Sequence, residues 1–159
     1  MIRLEVDVAT QKMSVYEDEK CLRIYMISTA KKGVGELKGS EQTPRGLHIV
    51  RAKIGSGCLP NTVFVGRRPT GEIFNEAYRN KFPNRDWILT RIMWLSGLEI
   101  NKNRLGAVDT MQRYVYIHGT PDDVVLGRPG SRGCIRMRND QIIELFDQVP
   151  VGTPIIIKG

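Results

Sequence analysis

Apolar and polar residues alternate from the start of the chain: Ile2, Leu4, Val6 and Val8 are separated by Arg3, Glu5 and Asp7. A period of two is that of a strand with one buried face. Residues 13–16 and 22–28 repeat it on either side of Glu17-Asp18-Glu19-Lys20, so the N-terminal region predicts a β-meander. Residues 31–42, rich in Gly, Lys and Ser, predict a surface loop. Thr43-Pro44-Arg45-Gly46 predicts a turn into a strand at 47–50. Val63-Phe64-Val65 predicts a short strand, Pro69-Thr70-Gly71 a turn, residues 73–81 a short helix and residues 87–95 a buried strand. Residues 97–109 predict another loop, and part of 67–109 either caps a cleft or forms a solvated connection. After an apolar run at 114–118, Asn139-Asp140 starts a helix whose Ile142, Leu145, Phe146 and Val149 recur on one face. Pro150-Val151-Gly152 stops it, and residues 153–158 form a last strand. The prediction is one mainly β (α+β) domain over residues 1–159 with one or two short helices.

Length and charge narrow the partners. With 159 residues the chain suits one domain with its own core. No run of about 18 apolar residues is present, so no membrane span is expected. Met1 leads directly into a strand pattern, without the h-region of a secretory signal. Either the protein stays in the cytoplasm or a leader has been removed. The net charge of +7 favours anionic surfaces. Nucleic acid is not the expected partner, because no helix-turn-helix, RNA-binding aromatic motif or zinc signature accompanies the charge. A cell-wall polymer carrying carboxylates suits it equally well. Cys21, Cys58 and Cys134 form neither a disulfide framework nor a zinc spacing, so no metal is expected. Cys21 opens an apolar strand and reads as a small buried hydrophobe, although a Cys21–Cys58 disulfide is an open alternative.

The candidate chemistry lies between residues 114 and 137. The run Tyr114-Val115-Tyr116-Ile117-His118-Gly119 delivers a histidine at a strand end, and Gly130-Ser131-Arg132-Gly133-Cys134-Ile135-Arg136-Met137 follows. A thiolate nucleophile with an imidazole to generate it is the logic of thiol acyl transfer. Glycine beside the cysteine lets the backbone approach a substrate carbonyl and aim N–H groups at it.

This string resembles the signature of the L,D-transpeptidase (YkuD-type) catalytic domain, a His-Gly segment followed by Ser-His-Gly-Cys-(Ile/Val/Leu)-Arg-(Met/Leu). Six of seven positions match, from Ser131 to Met137, with Arg132 where the family usually has histidine. Ser28-Thr29-Ala30 and Thr43-Pro44-Arg45-Gly46 also resemble recurring family motifs, the second of which packs near the active site. The resemblance implies an L,D-transpeptidase-like β-sandwich with Cys134 as nucleophile and His118 as base. It implies that a carbonyl near Ser131 orients the imidazole, and that Gly133 and Cys134 N–H groups receive the oxyanion. Arg136, His48 and Gly119 are expected on the substrate side; Arg136 either pairs with a substrate carboxylate or holds the motif loop. Arg132 has no base to offer, but a fixed cation there is expected to favour the thiolate.

The implied partner is a peptidoglycan stem peptide, in the periplasm or cell wall, with no cofactor and a monomeric enzyme. Hydrolysis of the thioester instead of aminolysis would make an L,D-carboxypeptidase. Loss of catalysis through Arg132 would leave a cell-wall-binding module.

Overall fold

The computed structural model describes residues 1–159. The N-terminal alternation forms β1 (Ile2–Asp7), β2 (Lys12–Glu17) and β3 (Lys20–Met26), an antiparallel meander as the period of two predicts. Then follow β4 (Gly46–Ile54), β5 (Thr62–Val65), β6 (Arg68–Ile73), α1 (Glu76–Lys81) and β7 (Ile88–Gly97). The chain closes with β8 (Tyr116–Gly119), β9 (Ile135–Met137), α2 (Asn139–Gln148) and β10 (Pro154–Lys158). All ten strands belong to one hydrogen-bonded sheet in the order β3-β2-β1-β10-β4-β7-β5-β6, with β8 attached to β7 and β9 to β8. Pairing is antiparallel except for β1 with β10 and β8 with β9. No helix is long and apolar enough to cross a membrane.

Two local expectations change. Residues 69–71 lie within β6 and not in a turn, because Arg68–Ile73 pairs back onto β5 and the reversal falls earlier, at Gly66-Arg67. Cys21 is exposed and Cys58 half-buried, and both are free. β3 is the outermost strand of its sheet, and its only buried side chain is Tyr25.

β7 joins the sheet's two halves. Its Ile92, Met93 and Trp94 pair with β4 on one side and β8 on the other, while Ile88 and Leu89 pair with β5. Between these stretches Thr90 takes φ +75 and the β7–β8 register shifts. Such a bulge bends a strand. The amphipathic α2 packs across β7 and β8, burying Ile142, Leu145 and Phe146 against Met93, Ile117 and Ile135. The helix starts at Asn139 as expected, but its side chain caps nothing. Its amide donates to Asn61 Oδ1, the Thr120 carbonyl and Asp122 Oδ1, and its oxygen accepts from Thr90 Oγ1 at 2.6 Å. The residue therefore pins the bulge of β7 to the end of β8.

Candidate active site

Register decides which side chains meet. In the parallel β8–β9 pair, Ile117 lies beside Ile135, His118 beside Arg136 and Gly119 beside Met137. Ile117, Ile135 and Met137 point into the core under α2. Because side chains alternate between faces, Tyr116 and His118 share the opposite face with Cys134 and Arg136. Tyr116 and Cys134 pack there with Phe64, Ile92 and Trp94. Cys134, one residue before β9, thus lies diagonally across from His118, with backbones about 8 Å apart by ideal strand spacings.

His118 is fully buried. Its Nδ1 donates to the Gly119 carbonyl at 2.6 Å, and its Nε2 is buried with no hydrogen-bond partner. Burial holds its pKa below the ordinary histidine value, with Asp86 opposing and Arg136 adding to that effect. The carbonyl that orients the ring is therefore that of Gly119, next in sequence, and not one near Ser131. Ser131's carbonyl accepts from Lys31 N instead, at 2.9 Å. Its hydroxyl donates to the Cys134 carbonyl at 2.5 Å and accepts from Gly133 N at 3.1 Å, which fixes the tight loop before the cysteine.

That last bond alters the expected oxyanion donors. The Gly133 N–H is engaged by Ser131, whereas the Cys134 N–H bonds to nothing in the protein. Gly133 holds φ +130, open to glycine and strained for other residues. Thr43 of the Thr-Pro-x-Gly segment locks the loop from below, its hydroxyl donating to the Gly133 carbonyl at 2.9 Å and accepting from Ala30 N at 3.0 Å. Ser28 exchanges both main-chain bonds with Arg136. Both secondary motifs are thus scaffolds of the cysteine loop.

Cys134 lines a cleft of about 240 Å³ shared with Glu41, Arg113, Tyr114, Arg132 and Gly133. Its Sγ accepts from Tyr116 N at 3.3 Å and donates to the Tyr114 carbonyl at 3.5 Å. Burial pushes the thiol up to about 12, against the downward pull of the Tyr116 N–H and the Arg136 and Arg113 cations. Arg132 is not among these cations. It is exposed and donates to the Asn84 carbonyl at 2.6 Å, with its charge acting on Glu41. The expected depression of the thiol by Arg132 is therefore not what the structure shows.

Three other positions take structural places, the loop-holding alternative for Arg136 among them. Arg136 holds the motif loop: it donates to the Gly130 carbonyl at 3.0 Å and pairs with Asp86 at 3.1 Å. Gly119 is buried, and a Cβ there would run into Asn139 Oδ1 and the Leu89 carbonyl, so it permits close packing. His48 is fully buried away from the cleft, with Nδ1 against the Gly46 carbonyl at 3.0 Å and Nε2 against Thr110 Oγ1 at 2.9 Å. Burial drops its pKa to about 4. A group whose folded pKa is depressed stabilises the fold above its unfolded pKa and loses that contribution as pH falls. Between about pH 6.5 and 4 the protein should therefore lose about 3 kcal/mol through His48. Thermal unfolding of His48→Gln from pH 8 to 4 should show a shallower fall in Tm than the parent, and parallel curves would rule this out.

Sequence reasoning missed Asp86, Arg113, Tyr114 and Tyr116. Tyr116 was open to discovery, since it lies two residues from His118 on one strand and so shares its face. Asp86 carries no local signal; it reaches the site because residues 82–87 fold over the cysteine loop, tied down by Arg132 and Arg136. Of residues 67–109, this short segment is thus tied to the cysteine loop, while the cleft that Cys134 lines is formed by residues 38–41, 112–115 and 132–134.

The profile of the YkuD L,D-transpeptidase catalytic domain matches residues 2–157. YkuD of Bacillus licheniformis is 29% identical over 156 residues, 98% of this chain and 64% of its own length. YqjB of Bacillus subtilis is 45% identical over 51 residues, 32% of this chain and 29% of its own. Among solved structures, an L,D-transpeptidase from Mycobacterium smegmatis superposes with a TM-score of 0.58 at 20% identity, covering 99% of this chain and 58% of that one. L,D-transpeptidase 3 from Mycobacterium tuberculosis gives 0.61 at 15%, covering 99% and 61%. The chain spans less than two thirds of the length of each of these relatives. Its mainly β fold is theirs, and with its profile match over nearly every residue the chain belongs to the L,D-transpeptidase (YkuD-type) catalytic domain family.

Proposed function

We propose that this chain is a cysteine-dependent peptidoglycan L,D-transpeptidase in which Cys134 is the nucleophile and His118 its base. The observation that carries the reading is the buried His118 Nε2, without a partner and on the sheet face that bears Cys134. An unsatisfied buried nitrogen costs stability, and a thiol turned toward it would satisfy it.

Burial penalises a lone thiolate and a lone imidazolium alike. Moving the proton from Sγ to Nε2 makes both charges together, so each compensates the other. The shift requires the Cys134 side chain to rotate from the Tyr114 carbonyl toward Nε2. The thiolate then attacks the carbonyl carbon of the third residue of a stem tetrapeptide, and the carbonyl electrons move to an oxyanion received by the Cys134 N–H. Collapse breaks the C–N bond, the imidazolium proton passes to the departing D-alanine amine, and a thioester remains. An acceptor amine attacks the thioester, gives its proton to His118, and expels the thiolate as the cross-link forms.

Two peptides need two spaces. A second cleft of about 270 Å³, past Thr120 at the end of β8, is lined also by Arg85, Trp87 and Arg136, whose backbone pairs with that of His118. Mass spectrometry of the protein with purified tetrapeptide fragment is the test. It should show a tripeptidyl adduct on Cys134 with loss of D-alanine, then cross-linked dimer; free tripeptide in its place would assign L,D-carboxypeptidase activity. Neither adduct nor product would leave a wall-binding module.

A further inference from the structure

The reversal between β5 and β6 is built by Gly66 at φ +56 and Arg67 at φ +65. Two positive φ values in a two-residue hairpin loop define a type I′ turn, whose positions favour Asn and Gly. A long side chain at such a position is uncommon, and Arg67 is half-buried although it sits at a hairpin tip. Its guanidinium lies 4.7 Å from the ring centroid of Tyr114 and 5.1 Å from that of Trp94, and it donates to the Tyr116 hydroxyl at 3.1 Å. The rings pack on one another, with Trp94 6.0 Å from Tyr114 and 5.9 Å from Tyr116.

Tyr114 also holds a positive φ, +57. Two bulky residues in the left-handed region are thus docked side chain to side chain. Tyr114 and Tyr116 are the residues whose main-chain carbonyl and N–H hold Cys134 Sγ, at 3.5 and 3.3 Å. The left-handed turn at Tyr114 is the bend before β8, next to the residues that meet the sulfur.

We infer that Arg67 is a positioning residue for the nucleophile: clamped on Tyr114, Trp94 and the Tyr116 hydroxyl, it holds the 114–116 main chain in the conformation that seats the Cys134 sulfur. This rests on the assignment of Cys134 as nucleophile. The thiol's main-chain N–H donor is set by a hairpin tip more than forty residues away in sequence. A guanidinium fits because it covers aromatic faces while donating within its plane.

The discriminating variant is Arg67→Gly. Glycine relaxes the backbone at φ +65, so the turn itself is not weakened. Iodoacetamide alkylation of Cys134 is followed against pH by peptide mass spectrometry in the parent, Arg67→Gly, Arg67→Lys and the exposed neighbour variant Arg68→Ala. Alkylation needs no peptide substrate, so it reports the seating of the sulfur whether or not the tetrapeptide reacts. Loss of the Tyr116 N–H from the sulfur should move the Arg67→Gly midpoint up by about one pH unit, a tenfold slower reaction at fixed pH. Arg67→Lys, which keeps the cation over the rings, should fall between, and Arg68→Ala should match the parent. Far-UV circular dichroism confirms that each variant is folded. A folded Arg67→Gly or Arg67→Lys with the parent's profile would overturn the inference, as would an equal shift in Arg68→Ala. Tetrapeptide acylation, run in parallel, tests the cysteine assignment separately: a parent that alkylates but never acylates sinks that reading alone.

Discussion

His118→Ala should slow acylation of Cys134 by tetrapeptide about 10²- to 10⁴-fold, the usual contribution of a positioned general base. The pH dependence makes the expectation sharper. In the parent, the reactive form is the thiolate–imidazolium pair, reached by a proton shift within the site, so alkylation of Cys134 should persist near neutral pH. Without the imidazole the thiol must ionise alone against burial, and its alkylation midpoint should rise well above the parent's. The variant loses a fully buried ring, so a Tm measurement and His118→Gln, which keeps most of the volume, separate lost chemistry from lost packing. Should His118→Gln alkylate and turn over like the parent, the base lies elsewhere. The other imidazole is a poor substitute, because both nitrogens of His48 are engaged inside the protein.

Much of this arrangement was legible in the chain. The N-terminal period of two yields β1 to β3, and the helical spacing of Ile142, Leu145 and Phe146 yields α2, because local burial patterns decide both. The pairing of His118 with the cysteine loop followed from a motif. What did not show was the partner of each polar atom. Ser131, Arg136 and His48 have chemistry suited to substrate or oxyanion contact and spend it inside the protein, while the exposed Arg132 gives a bond to the Asn84 carbonyl. Hydrogen-bond partners 48 and 50 residues away, such as Asn84 for Arg132 and Asp86 for Arg136, leave no periodicity. Bulges at Val15, Val50 and Leu89 shift the register by tertiary pairing, which alternation alone does not encode. The turn expected at Pro69-Thr70-Gly71 failed for a related reason, since Gly66-Arg67 closes the hairpin first and leaves those residues in an edge strand, where proline is tolerated.

Arg136→Ala is the second large effect. The Arg136–Asp86 pair is largely covered, with side chains 16% and 23% exposed. Removing the cation therefore costs more than a surface pair and less than a dry one, about 2–3 kcal/mol. It also strands the Asp86 carboxylate beside both reacting groups. Asp86 raises the thiol and the imidazole together, while Arg136 lowers both. Without Arg136 a lone thiolate becomes harder to form while the imidazolium becomes easier, so the loss shows where no imidazolium shares the cost. In a His118→Gln background, alkylation of Cys134 at fixed pH should fall at least about tenfold. Asp86→Asn in the same protein removes the stranded charge, so the double variant should recover part of both stability and reactivity. Urea unfolding and alkylation profiles of the four proteins form a double-mutant cycle. Costs that add to within about 0.5 kcal/mol would show that the pair is uncoupled. Tetrapeptide kinetics then separate loop-holding from substrate binding. A residue gripping a substrate carboxylate would raise KM with no rescue by Asp86→Asn, whereas one that neutralises Asp86 and holds the Gly130 carbonyl lowers kcat and is rescued in part.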